Sequence, residues 1–180
     1  MRVVAGTARG RRLVTPPGDA VRPTSDRVRE AMFNSLISLG AVEEAAALDL
    51  FAGSGALGRE ALSRGAERVT FVERHRAALA AIDTNLRATS LHGSARVVRG
   101  DALGLLERHD ELIGPYDLVL CDPPYAFAGW GRLFASLPCR LAADAVVVVE
   151  ADHDLDPGDG WRVLRAGRYG GTVVTLTAPT

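Results

Sequence analysis

The chain has 180 residues, 47% hydrophobic and 24% charged, with 21 basic side chains against 22 acidic ones and a net charge of -1. Such a length supports one core burying roughly 70% of the unfolded surface and leaves little room for a second domain. The near-neutral balance excludes global electrostatic capture of nucleic acid, and no apolar stretch approaches the roughly 20 residues that span a bilayer. The amino terminus also lacks the apolar stretch of a secretory signal, so a cytosolic protein with no membrane partner is expected.

In chain order, residues 2–5 and 11–15 read as short strands joined through Gly6 and Gly10, a hairpin that Pro16-Pro17-Gly18 ends. Every basic residue is arginine, and the first thirty residues carry Arg2, Arg9, Arg11, Arg12, Arg22, Arg27 and Arg29 against Asp19, Asp26 and Glu30. The expected organisation is therefore a hairpin and basic arm over residues 1–23, then one α/β domain over 24–180. Such an arm can neutralise phosphates; plain capping of the sheet by a hairpin with exposed arginines accounts for it as well.

From Thr24 an amphipathic helix is predicted, with Val28, Ala31, Met32, Leu36 and Leu39 at helical spacing, Asp26 in its first turn and Gly40 as its stop. Strands and helices then alternate: strand 46–51, helix 56–64, strand 69–73, helix 75–89, strand 96–99, helix 102–110 and strand 117–121. That rhythm predicts a parallel sheet with right-handed crossovers. Residues 127–137 read as a further helix, and 145–150 as a strand whose valines imply burial on both faces. Residues 161–166 and 172–177, separated by a turn at 167–171, close the chain as an antiparallel pair. Cys121 and Cys139 lack metal-ligand spacing and read as small core residues, while His75, His92, His109 and His153 are scattered and read as solvated; no metal site is expected.

The chemistry concentrates at the carboxyl ends of the parallel strands. Strand 46–51 runs into Ala52-Gly53-Ser54-Gly55-Ala56-Leu57-Gly58. Gly53 and Gly55 let backbone approach a ligand, Gly58 lets the next helix sit against the sheet, and the helix's amino end offers amide hydrogens. Taken alone the pattern is also the dinucleotide fingerprint or an ordinary tight turn. Glu73 ends the second strand about twenty residues later, where a carboxylate can accept both ribose hydroxyls of either NAD or S-adenosylmethionine. Asp101, with Ala102 after it, ends the third strand and suits either an adenine amine or a helix N-cap. Asp49, just before the loop with Phe51, can orient the amino-acid end of a cofactor directly or through the loop's amides.

After the apolar run 118–121 come Asp122, Pro123, Pro124 and Tyr125. A carboxylate and the carbonyl after it can accept both hydrogens of an exocyclic amine, drawing the nitrogen lone pair out of conjugation, while a tyrosine ring stacks on the base. The prolines fix φ and donate no competing amide. Adenine N6, guanine N2 and cytosine N4 all satisfy this grip, as does a glutamine side-chain nitrogen.

In order and spacing, Asp49 to Gly58, Glu73, Asp101 and Asp122 to Tyr125 resemble the four motifs of class I S-adenosylmethionine-dependent methyltransferases. The resemblance implies a Rossmann-like fold with a mostly parallel seven-stranded sheet flanked by helices. It implies S-adenosylmethionine held by Asp49, Phe51, Gly53, Gly55, Gly58, Glu73, Asp101 and Ala102, and catalysis at Asp122 to Tyr125. The stretches around Arg9 to Leu13, Arg22 to Thr24, Asp26 to Glu30, Phe33-Asn34 and residues 49–66 further resemble the RsmD-like bacterial 16S rRNA guanine-N2 methyltransferases over nearly the whole chain. That similarity implies a guanine of 16S rRNA in the small ribosomal subunit as substrate, with Arg9, Arg11, Arg12, Arg22 and Arg27 on the RNA; a monomer is expected as the working form. An NAD oxidoreductase would leave Asp122 to Tyr125 without a task, and so would a non-catalytic RNA-binding assembly factor. A DNA adenine methyltransferase would need a recognition region for which few residues remain.

Overall fold

Five residues, Ala46–Leu50, form a strand, β1, buried along its whole length, as an apolar run must be when helices cover both faces of a sheet. Its neighbours are β2 (Arg68–Glu73), paired parallel from Ala46↔Arg68 to Leu50↔Val72, and β4 (Tyr116–Cys121), paired parallel from Ala47↔Leu118 to Leu50↔Cys121. With β3 (Ala95–Arg99), β5 (Leu141–Ala151), β6 (Trp161–Tyr169) and β7 (Thr172–Pro179) the sheet reads β3-β2-β1-β4-β5-β7-β6. Five strands are parallel, and β7 runs antiparallel to both β5 and β6. The strand order reverses between β1 and β4, the place where open α/β sheets bind ligands. This computed structural model describes residues 1–15, 25–108 and 111–180.

The helices follow their sequence signals closely. Helix α1 (Asp26–Ser38) is capped by the Ser25 hydroxyl, which accepts from the Val28 amide. It ends at Gly40, whose φ of 68° allows the Gly40 amide to reach Ile37 O and the Ala41 amide to reach Leu36 O. Helix α2 (Ala56–Ser63) lies so close to β2 that a Cβ on Gly58 would stand 2.4 Å from the Phe71 ring. Helices α3 (Arg76–Thr89), α4 (Ala102–Glu107) and α5 (Trp130–Ser136) complete the layers. Two apolar clusters fill the two faces, one around Phe33, Phe71 and Ile82, the other around Leu105, Tyr116 and Leu133.

Three expectations need correction. The amino-terminal hairpin reduces to one antiparallel bridge, Arg2↔Arg12, with the Val3 amide on Arg11 O and the Leu13 amide on Met1 O; two glycines at positive φ and a run of arginines leave too few consecutive extended residues for a ladder. Helix α5 starts at Trp130 rather than 127, because residues 127–129 close a turn in which the Phe127 amide meets Pro124 O. Cys139 is exposed, its thiol on Ser136 O within a short 3₁₀ turn, whereas Cys121 is buried as expected. Thr24, Arg22 and the Pro16-Pro17-Gly18 stop lie outside the described residues, as does His109. Among the described residues no helix is long and apolar enough to cross a membrane, and no group of three His, Cys, Asp or Glu could hold a metal ion.

Candidate active site

Because Leu50 and Cys121 are register partners, Phe51 and Asp122 leave the sheet side by side at the reversal of strand order. The glycine loop thus stands beside the acid-proline-tyrosine corner. Phe51 takes φ 63°, a left-handed conformation that costs a non-glycine residue on the order of 1 kcal/mol and concentrates at functional sites. It turns the chain into Ala52, whose amide bonds to Val72 O, and then into Gly53 and Gly55 with φ 55° and 76°. A Cβ at Gly53 would face open space, with only Phe51 O as near as 3.9 Å. The loop's surface is therefore clear at that point.

Below the loop, Arg59 is fully buried and donates through Nε to Gly55 O (2.8 Å) and through Nη2 to Ser54 O (2.9 Å). Burial lowers its pKa to about 10, with Asp49 opposing the shift. Two loop carbonyls are thereby drawn inward. The first amides of α2, at Ala56 and Leu57, have no acceptor inside their own helix and sit at its positive end.

Carboxylates ring this loop. Asp49, 1% exposed in the middle of β1, accepts from the Gly58 amide at 2.8 Å. Burial pushes its pKa up to about 7; the Gly58 bond pulls it down, the Asp122 charge raises it, Arg59 lowers it and Glu73 raises it. Glu73 holds the Gly53 amide with Oε2 (2.8 Å) and the Arg74 and His75 amides with Oε1 (2.7 Å each), so it shapes the loop as well as lining it. Asp101 caps α4 by accepting from the Gly104 amide at 3.0 Å and sits 3.6 Å from Arg74 Nη1, with 58% of its side chain exposed. The N-cap role is real, and the second oxygen still faces outward. Ala102, the first residue of α4, is buried beneath it.

At the corner, Pro123 is buried, Asp122 half-buried, and Tyr125 54% exposed. A buried proline thus stands behind an open tyrosine ring. Sequence reasoning missed the aromatic chain behind this corner: Phe51 meets Phe127 at 5.1 Å, Phe127 meets Trp130 at 4.8 Å, and Trp130 meets His153 at 6.3 Å, each edge-to-face. The three-residue spacing of Phe127 and Trp130 was its only trace. The chain braces the Asp122 loop against the end of β1.

The arginines divide in two. Arg9, Arg11, Arg12 and Arg27 are exposed, whereas Arg29 is fully buried, donating to Arg2 O at 2.5 Å and Asp26 at 2.8 Å. Arg29 is thus no part of a basic surface, and Arg22 lies outside the described residues. The amino-terminal segment is bolted to α2: Glu60 accepts from the Val4 (2.8 Å) and Ala5 (3.0 Å) amides, and Ser63 Oγ accepts from the Ala8 amide (2.9 Å) and donates to Ala5 O (2.6 Å). Those clamp residues also escaped sequence reasoning, since partners some 55 residues apart leave no local signal.

The raised pKa of Asp49 makes a pH prediction. Its folded value near 7 exceeds the ordinary 3.8, so the native state binds more protons than the unfolded chain between those values, and stability falls as pH rises through that window. Asp49→Asn, which keeps an acceptor for the Gly58 amide, should gain in Tm over the wild type progressively from about pH 4 to 7, reaching on the order of 5 °C. Thermal unfolding at pH 4.5 and pH 8 measures it. An advantage equal at both pH values would contradict the assignment.

A central parallel sheet with this strand order, a glycine loop after β1, acids after β2 and β3 and an aromatic corner after β4 defines a Rossmann-like class I methyltransferase fold. The chain belongs to the family described as conserved hypothetical protein 95, whose sequence model matches residues 1–178. It is 44% identical over 125 residues to the Escherichia coli K12 protein named ribosomal RNA small subunit methyltransferase D, covering 69% of this chain and 60% of that relative's length. The Haemophilus influenzae protein of the same name is 34% identical over 171 residues, covering 92% and 86%. The solved structure of the Escherichia coli methyltransferase candidate yhhF superposes with a TM-score of 0.84 at 36% identity, covering 99% of this chain and 97% of that one.

Proposed function

We propose that this protein transfers a methyl group from S-adenosylmethionine to the exocyclic N2 of a guanine in 16S rRNA of the small ribosomal subunit. The observation that carries the reading is the convergence of Asp49, Glu73 and Asp122 near the ends of three neighbouring strands around a loop cleared for a ligand; burial raises the Asp49 pKa most, and the Asp122 and Glu73 charges add to it. A ligand bearing a sulfonium and an ammonium relieves that crowding of negative charge, whereas the pyrophosphate of a dinucleotide aggravates it. This separates the two cofactors that a glycine loop alone admits. The names of the family's relatives support RNA of the small subunit as the substrate.

Bound S-adenosylmethionine supplies an electrophilic methyl group. The protein's own residues do the rest. Glu73 suits the ribose hydroxyls while fixing Gly53, Asp101 and Ala102 border the adenine side, and Asp49 holds the turn into α2 through Gly58. Asp122 and the carbonyl after it accept the amine hydrogens of the target base, and Tyr125 stacks on its ring. Proton transfer is a late event, since the amine becomes acidic only once alkylated, and it ends on Asp122 or water. Holding the reacting atoms at about 3 Å supplies on the order of 7–11 kcal/mol, more than general-base help gives. Positioning dominates.

Two consequences can be measured directly. Glu73→Ala should weaken S-adenosylhomocysteine binding by roughly tenfold or more, through the lost ribose contact and the loosened Gly53 turn; unchanged affinity in calorimetry would remove Glu73 from the cofactor site. Replacing Arg9, Arg11 and Arg12 together by alanine should lower the slope of log affinity for rRNA against log salt by roughly 2 to 3. An unaltered slope would mean that these arginines only decorate the surface. The reading as a whole is tested by offering methyl-labelled cofactor to unmodified small subunits, naked 16S rRNA and DNA, then digesting to nucleosides. Label in N2-methylguanosine from rRNA is expected; label in N6-methyladenosine or in DNA would refute the base assignment.

A further inference from the structure

Asn85, on the face of α3 turned toward the sheet, is 1% exposed and makes three hydrogen bonds to two distant segments. Its Oδ1 accepts from the Val14 amide at 2.7 Å, while its Nδ2 donates to Val14 O at 2.8 Å and to Ser54 O at 3.2 Å. The amide orientation is fixed by this pattern, because the flipped group would set donor against donor at Val14. One side chain thus pairs with residue 14 as a strand would, two positions beyond Arg12, and reaches the carbonyl between Gly53 and Gly55. The same carbonyl receives Arg59 Nη2 at 2.9 Å.

Asn85 divides its partners between the segment carrying the exposed arginines and the loop facing the ligand. Elsewhere that segment is held by Glu60 and Ser63 to the helix that leaves the same loop. Ordering residues 9–15 by contact with RNA therefore also fixes Asn85, and through it the Ser54 carbonyl that must stay turned inward for the loop's amides to face outward.

We infer that Asn85 is a positioning residue that couples RNA engagement by the amino-terminal segment to cofactor binding at the glycine loop. This rests on the function proposed above. Coupling is reciprocal, so each ligand tightens the other by one common factor.

The test is equilibrium dialysis of labelled S-adenosylhomocysteine against the full chain, with and without saturating unmethylated small ribosomal subunits. The wild type should bind the probe at least about 5-fold more tightly with subunits present. In Asn85→Ala, and in the near-isosteric Asn85→Asp, which keeps an acceptor for the Val14 amide but loses both donations, the ratio should collapse toward one. Thr84→Ala, one residue away on the exposed side of α3, should keep the wild-type ratio. A wild-type ratio of one overturns the inference even if neither variant folds, and so does a wild-type ratio retained in a folded Asn85→Asp. Failure of the free wild type to bind S-adenosylhomocysteine at all would instead overturn the proposed function.

Discussion

Asp122→Ala is expected to lower kcat for methyl transfer by about a hundred- to a thousandfold or more, while S-adenosylhomocysteine affinity stays near that of the wild type. The split follows from position. Asp122 leaves β4 beside Phe51, with Pro123 buried and Tyr125 open to solvent, and in the proposed function its oxygens meet the base rather than the cofactor. In the proposed function the cofactor's polar contacts fall to Glu73, Asp101 and the α2 amides, none of which the substitution touches. Removing one carboxylate from the cluster also lowers the charge that raises Asp49, a change that disfavours a cationic ligand only slightly. Asp122→Asn, which keeps one acceptor oxygen, should fall between the two. Single-turnover rates beside calorimetric affinities separate the effects. Full turnover in Asp122→Ala would take Asp122 out of the chemistry, and a parallel loss of affinity would make it a cofactor residue instead.

The largest expected effect on stability belongs to Glu60. Its carboxylate is fully buried and accepts from Arg64 Nε at 2.7 Å and from the Val4 and Ala5 amides, with Arg29 Nε at 3.6 Å. Arg29 is buried completely and Arg64 nearly so, at 5% side-chain exposure. A buried ion pair gains little net stability when intact, because desolvation offsets attraction, yet removing one partner strands the other charge away from water at about 3–5 kcal/mol. Glu60→Ala strands the Arg64 guanidinium, leaves Arg29 with Asp26 as its remaining carboxylate, and frees two backbone amides at once. For a chain of this length that loss corresponds to a fall in Tm of roughly 6–20 °C. Hydrogen exchange should accelerate most at Val4 and Ala5. A fall of only a degree or two, with protection of those amides unchanged, would show that the amino-terminal segment is held by its apolar contacts at Val3, Ala8 and Leu13 and not by the clamp.

What the sequence revealed and what it hid follow one physical line. The loop at Gly53 to Gly58 and the corner at Asp122 to Tyr125 were legible because each is written in local chemistry: glycines where φ is positive or a Cβ would strike Phe71, prolines where a turn must be stiff. The strands were legible as apolar runs, with boundaries shifted by one or two residues except at β5, where four less buried residues precede the valine core, and at β6, which continues through Gly167 to Tyr169 where a turn was expected. Arginines misled, since the residue type reads as solvent. Arg29 and Arg140 are buried because carbonyls and carboxylates from distant segments meet them, Arg140 donating to Leu112 O and Leu106 O, whereas Arg59 is buried against the carbonyls of its own loop, Ser54 O and Gly55 O. Asn85 gave no signal either, as its partners lie 71 and 31 residues away. The dual duty of Glu73, binding the loop that it also lines, was invisible for the same reason.

In the proposed function the glycine loop and the acid-proline-tyrosine corner line one pocket, the loop holding the cofactor and the corner facing its sulfur. A crystal structure of the protein with S-adenosylhomocysteine tests this most directly. The ribose is expected on Glu73, the amino-acid end over the Gly53 to Gly55 turn and the sulfur facing Asp122. Ligand density anywhere else, or a sulfur turned away from Asp122 toward the α4 side, would contradict it.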